Sequence, residues 1–198
     1  VRNPLGTASN TVPAVVTVTP RRPGSAVVWG SNSSVQPVPP FAQQGIVSVA
    51  TGGSHVLALN SSGAVVAWGD NQVGQTSVPP AATAHVRAIA AGDAHSVALR
   101  DDGSVVVWGS TQSGLGNVPA AARTGVTAIA AGSAHTLALV EGGRVVAWGN
   151  PSFGSTQVPT EALSQVVAIA AAGFCSAALK TDGSVVVWGS TEGYYVPA

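Results

Sequence analysis

The chain has 198 residues, enough for one domain with a sizeable core, and 45% of them are hydrophobic. Only 8% are charged, eight basic against eight acidic, so there is no basic surface to hold the phosphates of a nucleic acid. Its longest apolar runs, such as Val166–Ala172, are far shorter than the ~18 residues of a membrane-spanning helix. Composition therefore predicts a globular protein that neither binds nucleic acid nor inserts into a membrane.

Composition also bears on the compartment. Cys175 is the only cysteine, so no disulfide can form within the chain. Sparse charge, little Lys and abundant Ser, Thr and Gly favour an extracellular or cell-surface location. The chain begins at Val1 and contains no Met, which is typical of a processed protein or an excised fragment.

An internal repeat organises the whole chain. Trp-Gly pairs follow one another at spacings of 39, 40, 40 and 40 residues, which marks five units within a single repeat domain, 1–198. The units are a degenerate first one with the N-terminal segment, 1–45, three full repeats, 46–85, 86–125 and 126–165, and a shorter last one, 166–198. In the first unit, counting back from Trp29 aligns Val18 with Val97.

Each unit has the signals of antiparallel strands. In the second full repeat these are Val86–Ala91, Ser96–Leu99 and the β-branched run Val105–Trp108. Asp101–Gly103 between the last two forms a tight hairpin turn, since glycine accepts a positive φ. Farther on, Val118–Pro119 suits an outer edge strand.

A helical interpretation of the alanine-rich segments is weaker. Good helix formers occur in Ala120–Ala122 and Ala128–Ala131. Glycine or a Val-Pro pair interrupts them every five to twelve residues, and isolated helices shorter than ~12 residues are marginal. Strands are the better prediction.

Sheets of this kind are apolar on both faces and must stack on copies of themselves. A β-propeller meets that demand, with the small residues of the A-I-A-A-G run on its crowded inner strand. A β-solenoid is the competing architecture, but its coils are usually shorter, ~20 to 30 residues, and lack internal hairpins. The predicted fold is an all-β propeller.

The repeat resembles that of a known propeller family. Its pattern, A-I-A-A-G-x-x-H-x-x-A-L-x-x-D-G-x-V-V-x-W-G, is similar to the repeat of the regulator of chromosome condensation family. The continuations at Gly74–Pro79 and Val158–Ser164 resemble the bacterial β-lactamase inhibitory protein II branch. The resemblance implies seven blades. Five units leave three arrangements open: a closed five-bladed ring, an open arc, or part of a larger ring.

One repeat position carries histidine in three units and cysteine in the fourth. These residues are His55, His95, His135 and Cys175. A metal site is one hypothesis, but the positions lie on successive units, whereas metal ligands must converge on one ion. We expect no metal, and instead buried histidines that hydrogen-bond neighbouring backbone, with Cys175 a small buried thiol.

The five tryptophans also allow a structural and a ligand-binding interpretation. Trp29, Trp68, Trp108, Trp148 and Trp188 are one per unit, and core packing explains them more simply than a ligand-binding ring. No catalytic motif occurs, and the acidic pairs belong to turns. The chain is therefore expected to have no enzymatic activity and no cofactor.

The loops that follow Trp-Gly are the most variable part of each unit. In a rigid repeat scaffold, variable loops on one face are where recognition occurs. The aromatic candidates for binding anchors are Phe153, Phe174, Tyr194 and Tyr195, although packing against an adjacent blade would explain them equally well.

Together these observations predict a non-catalytic, extracellular propeller that binds a protein. The resemblance implies an inhibitor, but among the turn pairs that match the aromatic contact loops of that branch, only Gly173–Phe174 is aromatic. The alternative is a structural, self-assembling surface module or a fragment of a larger propeller-repeat protein. Nucleotide exchange, as in the chromatin-associated relatives, ranks last because the chain lacks a basic surface.

Overall fold

A computed structural model describes residues 15–16, 28–29, 38–42 and 44–190. Within them lie a two-stranded sheet and four antiparallel sheets of three strands each. The strands are β1 (Val15–Val16), β2 (Val28–Trp29), β3 (Ile46–Thr51), β4 (His55–Asn60), β5 (Val65–Gly69), β6 (Val86–Ala91), β7 (His95–Arg100), β8 (Val105–Gly109), β9 (Val126–Ala131), β10 (His135–Val140), β11 (Arg144–Gly149), β12 (Val166–Ala172), β13 (Cys175–Lys180) and β14 (Val185–Gly189). The all-β propeller prediction is confirmed.

The three-stranded sheets are the blades, numbered 1 to 4 from β3–β5 to β12–β14, and each is a simple meander with its middle strand in the centre. The first strands of successive blades contact one another, so the alanine-rich run is the inner strand, as expected. This strand has three alanines in each of blades 2 and 3 and four in blade 4, and these small side chains keep the inner strands thin enough to converge.

The expected outer strand at Val118–Pro119 is wrong. These residues join no sheet, and the chain continues into a single 3₁₀ turn, Ala120–Ala122. The same turn follows the Val-Pro pair before the first and second blades, at Pro40–Ala42 and Pro80–Ala82, and before the fourth, at Thr160–Leu163. Proline fixes φ near the helical value at the start of such a turn, and the turn is too short to need ladder hydrogen bonds.

The 3₁₀ turn also contributes to the core. Its alanine is fully buried in the interface between two blades, as at Ala162. There it packs with Leu137 and Leu139 of blade 3 and with Val166 and Trp188 of blade 4. The linker, which is the segment between two successive blades, therefore fills part of the interface between them.

Every blade uses both of its faces. In blade 3 the face toward blade 4, called the front face, carries Leu137 and Leu139, which are 0% and 6% exposed. The opposite, rear face of blade 4 carries Ala178 and Trp188 and covers them. Side chains alternate between faces along a strand, so a single strand supplies both interfaces.

A β-bulge interrupts this alternation once in each first strand. The register shifts after the first residue of the strand in every blade, and one residue is left without a partner. These residues are exposed and their type varies: Val47, Arg87, Thr127 and Val167. After the bulge, the side chains of the strand again alternate between the two faces of the blade, as the core requires.

Successive blades are joined by a hydrogen bond that we call the latch, between a histidine and a hydroxyl of the next blade. The three latches link His55 Nε2 to Ser96 Oγ (2.9 Å), His95 Nε2 to Thr136 Oγ1 (3.1 Å) and His135 Nε2 to Ser176 Oγ (2.8 Å). The histidines are buried, but their partner is a side chain. The expectation of a backbone partner is therefore wrong.

The hydroxyl group fixes the state of the imidazole. Ser96 donates its only hydroxyl proton to the carbonyl of Gln75, at 2.8 Å. Its oxygen must then accept from His55, so the proton of His55 is on Nε2. Ser176 behaves in the same way, because it donates to Ser155 and accepts from His135.

Burial keeps these imidazoles neutral. The Nδ1 atoms of His55, His95 and His135 are buried and have no hydrogen-bond partner among the described residues. A proton there would add a charge that nothing solvates, so desolvation lowers the pKa of His55 and of His95 to about 4 and that of His135 in the same direction. The charges of Asp70 and Asp93 raise the pKa of His55, but by less than burial lowers it.

The first unit departs from its expected alignment. Val15 pairs with Trp29, as Ser96 pairs with Trp108 in blade 2. Position 16, not Val18, therefore corresponds to Val97, so the connection between β1 and β2 is two residues longer than in a full repeat. The side chain of Trp29 lies outside the described part of the structure.

We expect Thr136→Val to destabilise the protein by about 1–3 kcal/mol, because the buried Nε2 of His95 loses its hydrogen-bond partner while the shape of the side chain is kept. Urea unfolding measures the loss. Thr83→Val is the matched control: its hydroxyl is exposed and bonds only the carbonyl of Pro80, so its effect should stay within about 0.5 kcal/mol. Equal losses in both variants would contradict a role for the latch.

Stability is expected to fall on acidification. The unfolded chain takes up protons on its histidines below about pH 6.5, whereas folded His55 and His95 take them up only near pH 4. The unfolded state therefore binds more protons between these values, and the free energy of unfolding decreases as the pH drops through that window. Urea midpoints at pH 7.5 and pH 5 test this, and His95→Gln should flatten the dependence. A midpoint that is constant over this range would contradict it.

Candidate protein-binding surface

The loops that follow Trp-Gly in blades 1 to 3 lie at one end of the blades, called the loop end. The register places the first residue of each middle strand opposite the last residue of the third strand, as for His135 and Gly149. The turn between the first two strands and the loop after the third must therefore lie side by side. A backbone hydrogen bond joins them in each blade, as from Asn150 to Ala134 (2.7 Å) and from Ser190 to Phe174 (3.1 Å).

In blades 1 to 3 the base of the loop is held rigidly by the following blade. The indole Nε1 of Trp148 donates to the carbonyl of Leu115 at 3.0 Å, and that of Trp188 to the carbonyl of Ser155 at the same distance. Both acceptor residues are buried. The described tryptophans, at positions 68, 108, 148 and 188, are all 6–8% exposed. They therefore anchor the loops and offer no open ring face to a ligand.

The loop tips project from this base. One position in the loops carries Val73, Ser113 and Phe153 in blades 1 to 3, and the first and last of these are 47% and 64% exposed. Ser113 and Phe153 both have a left-handed backbone, with φ of 54° and 57°. A bulky residue in that region costs of the order of 1 kcal/mol or more, so folding does not favour Phe153 there.

Two of the four aromatic anchor candidates lie together. The rings of Phe153 and Phe174 have centroids 5.1 Å apart and are tilted by 53°, a favourable geometry for an aromatic pair. Phe153 belongs to the loop after blade 3, and Phe174 to the turn between β12 and β13 of blade 4. Tyr194 and Tyr195 lie outside the described residues.

The aromatic pair combines packing between blades with exposure to solvent. Phe174 is half-buried, so part of its surface packs against the neighbouring blade. Phe153 remains mostly exposed in spite of the contact, and so the two rings present one apolar patch to solvent. Sequence reasoning found both residues but could not show their contact, because they are 21 residues apart on different blades.

The described charged residues are unevenly distributed between the two ends of the blades. Asp70 and Asp93 are the only charged residues in the described loops and turns of the loop end. The five described basic residues all lie at or near the opposite end: Arg87, Arg100, Arg123, Arg144 and Lys180. The loop end is therefore mildly acidic around blades 1 and 2 and uncharged around the aromatic pair.

Other site chemistry is sparse in this part of the chain. No group of three or more His, Cys, Asp or Glu side chains among the described residues could hold a metal ion. Asp102 and Asp182 accept hydrogen bonds from Ser104 and Ser184 in the hairpin turns, which lowers the pKa of each carboxyl. They stabilise those turns. None of the helical segments described has the length and apolar character of a membrane span.

A comparison with protein families identifies the repeat. The family model of the regulator of chromosome condensation (RCC1) repeat matches residues 46–75, 86–114 and 126–155. None of the curated proteins compared with the chain matches it. The resemblance to the β-lactamase inhibitory protein II branch is not confirmed by these comparisons.

Solved structures support the same assignment. The ectodomain of the Physcomitrella patens receptor kinase CR4 is 26% identical, with a TM-score of 0.67 over 84% of this chain and 47% of that one. Yeast RCC1 (Prp20), bound to Kap60, is 23% identical, with a TM-score of 0.67 over 86% and 53%. Prp20p from Saccharomyces cerevisiae is 25% identical, with a TM-score of 0.64 over 75% and 46%.

The chain thus spans about half the length of these proteins. The repeat match and the shared architecture agree on blades 1 to 3, and blade 4 repeats the same meander and the same Trp-to-loop hydrogen bond. Residues 46–75, 86–114 and 126–155 therefore match the regulator of chromosome condensation repeat, and the three-stranded sheets have the architecture of a propeller of that type.

Proposed function

We propose that the chain is a non-catalytic protein-binding module that acts outside the cell or at its surface, and that it recognises its partner through the loop end. The observation that carries the proposal is the aromatic pair. Phe153 is 64% exposed at a backbone position where its side chain is costly, and its ring makes a tilted contact with that of Phe174. An apolar aromatic residue kept exposed on a rigid base has the features of a binding hot spot.

The rigidity of the loop bases also favours a protein-binding function. The tips emerge from loops whose bases bond the next blade, so binding requires little ordering of the loop. Affinity per contact is higher when this entropic cost is small. The polar tips around the patch, such as Gln112 and Ser152, would supply a hydrated rim.

A relative supports a protein as the ligand. The structure of Prp20p from Saccharomyces cerevisiae, 25% identical over 75% of this chain, was described together with the binding of that protein to Gsp1p and histones. Here a different partner is expected, since the described loop end carries no basic residue and its charges are two aspartates. We expect a partner surface that is apolar at its centre.

Phe153→Ala should weaken binding of the partner by roughly 10- to 30-fold, because a central aromatic residue commonly contributes more than 1 kcal/mol. The melting temperature should change little, since the side chain is mostly exposed. The partner is first captured from the medium or surface extract of the source cells with the wild-type chain, and affinity is then measured by calorimetry.

Val73→Ala is the matched control, because Val73 has the same loop position on blade 1 and is 47% exposed. It should retain nearly full affinity. If Phe153→Ala and Val73→Ala weaken binding equally, or neither does, the aromatic pair is not the centre of the interface.

A narrower form of the proposal is inhibition of a secreted enzyme such as a β-lactamase. The exposed aromatic patch favours it, whereas the turn pairs Gly53–Ser54 and Ser133–Ala134 offer no aromatic side chain. Nitrocefin hydrolysis by a panel of β-lactamases is the test, with the chain titrated to micromolar concentration. Inhibition that is lost with Phe153→Ala would support this form, and no inhibition of any enzyme in the panel would exclude it.

A further inference from the structure

A groove opens between blades 1 and 2 at the end of the blades opposite the loop end, where the hairpin turns lie. We call this the hairpin end. The groove has a volume of about 400 Å³, a size typical of a ligand pocket. Leu59 lines it with an apolar side chain, and its polar groups include the hydroxyls of Ser61 and Ser62, the imidazole of His85 and the carboxylate of Asp101. The groove is therefore a candidate binding site separate from the loop end.

The corresponding place in the next interface is filled by a side chain of the protein itself. Arg87 has the bulge position in blade 2 that Val47 has in blade 1, and Val126 corresponds in the same way to Val86. The Nη2 atom of Arg87 donates to the carbonyl oxygen of Val126 in blade 3, at 2.6 Å. A guanidinium group therefore has a defined acceptor at this point between two blades.

Blade 1 has no side chain that could make this contact at the bulge. Val47 is apolar and much shorter than arginine, so it cannot donate to the carbonyl of Val86. Arg87 also lines the groove, but its Nη2 is bonded on the side of blade 3. The place that a guanidinium group takes between blades 2 and 3 is thus open to an incoming group between blades 1 and 2.

The charges at these positions differ between the three interfaces of blades 1 to 4. In the second interface, Glu141 stands at the position that Asp101 has in the first, and Arg87 supplies a cation. The third interface has threonine at both positions, so it has neither charge. The first interface has the carboxylate of Asp101 but Val47 in place of the cation. Its groove is therefore suited to a cation from another molecule.

The carboxylate of Asp101 is accessible to such a cation. Its side chain is 62% exposed, and its Oδ2 lies 3.8 Å from Nδ1 of His85, which is also exposed. That separation is too long for a hydrogen bond, and a contact between two exposed side chains contributes little. A guanidinium group has several N–H donors in one plane, so it can bond this carboxylate and the carbonyl of Val86 or the hydroxyl of Ser61 as well.

We propose that this groove binds an arginine side chain of a partner protein. The guanidinium group donates to the carbonyl of Val86 and to the carboxylate of Asp101, and its methylene stem packs against Val47. Because the groove lies at the hairpin end, this inference does not depend on the loop-end function. Phe153→Ala should therefore leave the binding of arginine unchanged.

A short arginine peptide is the direct probe. Acetyl-Gly-Arg-Gly-amide is titrated into the isotope-labelled full chain, and the backbone amide signals of Ser61, Gly63 and His85 are followed by NMR. We expect saturable shifts with a dissociation constant in the millimolar range, because an exposed charged contact is weak. The same peptide with citrulline, which is neutral, should cause no comparable shifts. Absence of saturable shifts with the arginine peptide, or equal shifts with both peptides, would overturn the proposal.

Asp101→Asn should weaken binding of the arginine peptide roughly 5-fold, because the charge is lost while the shape of the side chain is kept. Asp102→Asn is the matched control. Asp102 belongs to the same hairpin turn and is exposed, but it bonds Ser104 and Arg100 and does not line the groove. Its variant should bind the peptide nearly as the wild type does. An equal effect of the two substitutions would show that the carboxylate of Asp101 does not hold the peptide.

An arginine supplied by the chain itself tests the geometry. Val47→Arg should place a guanidinium group in the groove, as Arg87 does in the next interface, and should abolish peptide binding by intramolecular competition. Val167→Arg is the control, because Val167 has the same bulge position on blade 4 and is 51% exposed, against 46% for Val47. Both substitutions add the same charge at an exposed site, so neither should disturb folding. Peptide binding that persists in Val47→Arg, or that is lost in both variants, would contradict the proposal.

Discussion

Every blade of this protein is apolar on both faces, and the rest of the structure follows from that constraint. A three-stranded sheet with leucine and valine pointing both ways cannot be stable in water, so the free energy of each blade is set by its neighbours. Narrow inner strands of alanine, the bulge after the first strand residue and the alanine of each linker all serve to bring two such faces together.

The polar groups in these interfaces set the order in which blades can join. A hydrophobic face packs on any apolar partner, whereas the latch needs a hydroxyl at one register position. In the latches of Ser96 and Ser176 that hydroxyl donates its own proton to a loop carbonyl. Burial keeps the imidazole neutral, and its Nδ1 has no hydrogen-bond partner among the described residues. Part of the stability of the interface is thus given up for a defined register, as happens with other buried polar groups.

Much of the scaffold could be read from the sequence, because its signals are local or periodic. The spacing of Trp108 and Trp148 gives the repeat, and Asp101–Gly103 gives a hairpin whose geometry depends on three residues. The predicted edge strand at Val118–Pro119 was wrong, because a Val-Pro pair is compatible both with an edge strand and with the start of a 3₁₀ turn. Only the burial of Ala122 between blades decides between them.

The candidate site was predictable in type but not in arrangement. Variable loops and exposed aromatic residues are visible in one sequence, so Phe153 and Phe174 could be named. The contact between their rings depends on the distance between two blades and on the left-handed backbone at Phe153, and neither is encoded in local propensity. The hydroxyl partners of the histidines were missed for the same reason. The regular offset of 41 residues between His55 and Ser96, His95 and Thr136, and His135 and Ser176 was the signal that could have found them.

The linker alanine has a consequence for how such a chain can change its length. Ala122 follows blade 2 in the sequence but is buried with Val126 and Trp148 of blade 3. Recombination can copy or delete a unit. The packing is then kept only if each linker stays joined to the blade that follows it. Shorter insertions would shift the alanine out of the interface. Growth and shrinkage of this architecture are therefore confined to whole repeats, whereas the exposed loop tips are free to vary one residue at a time.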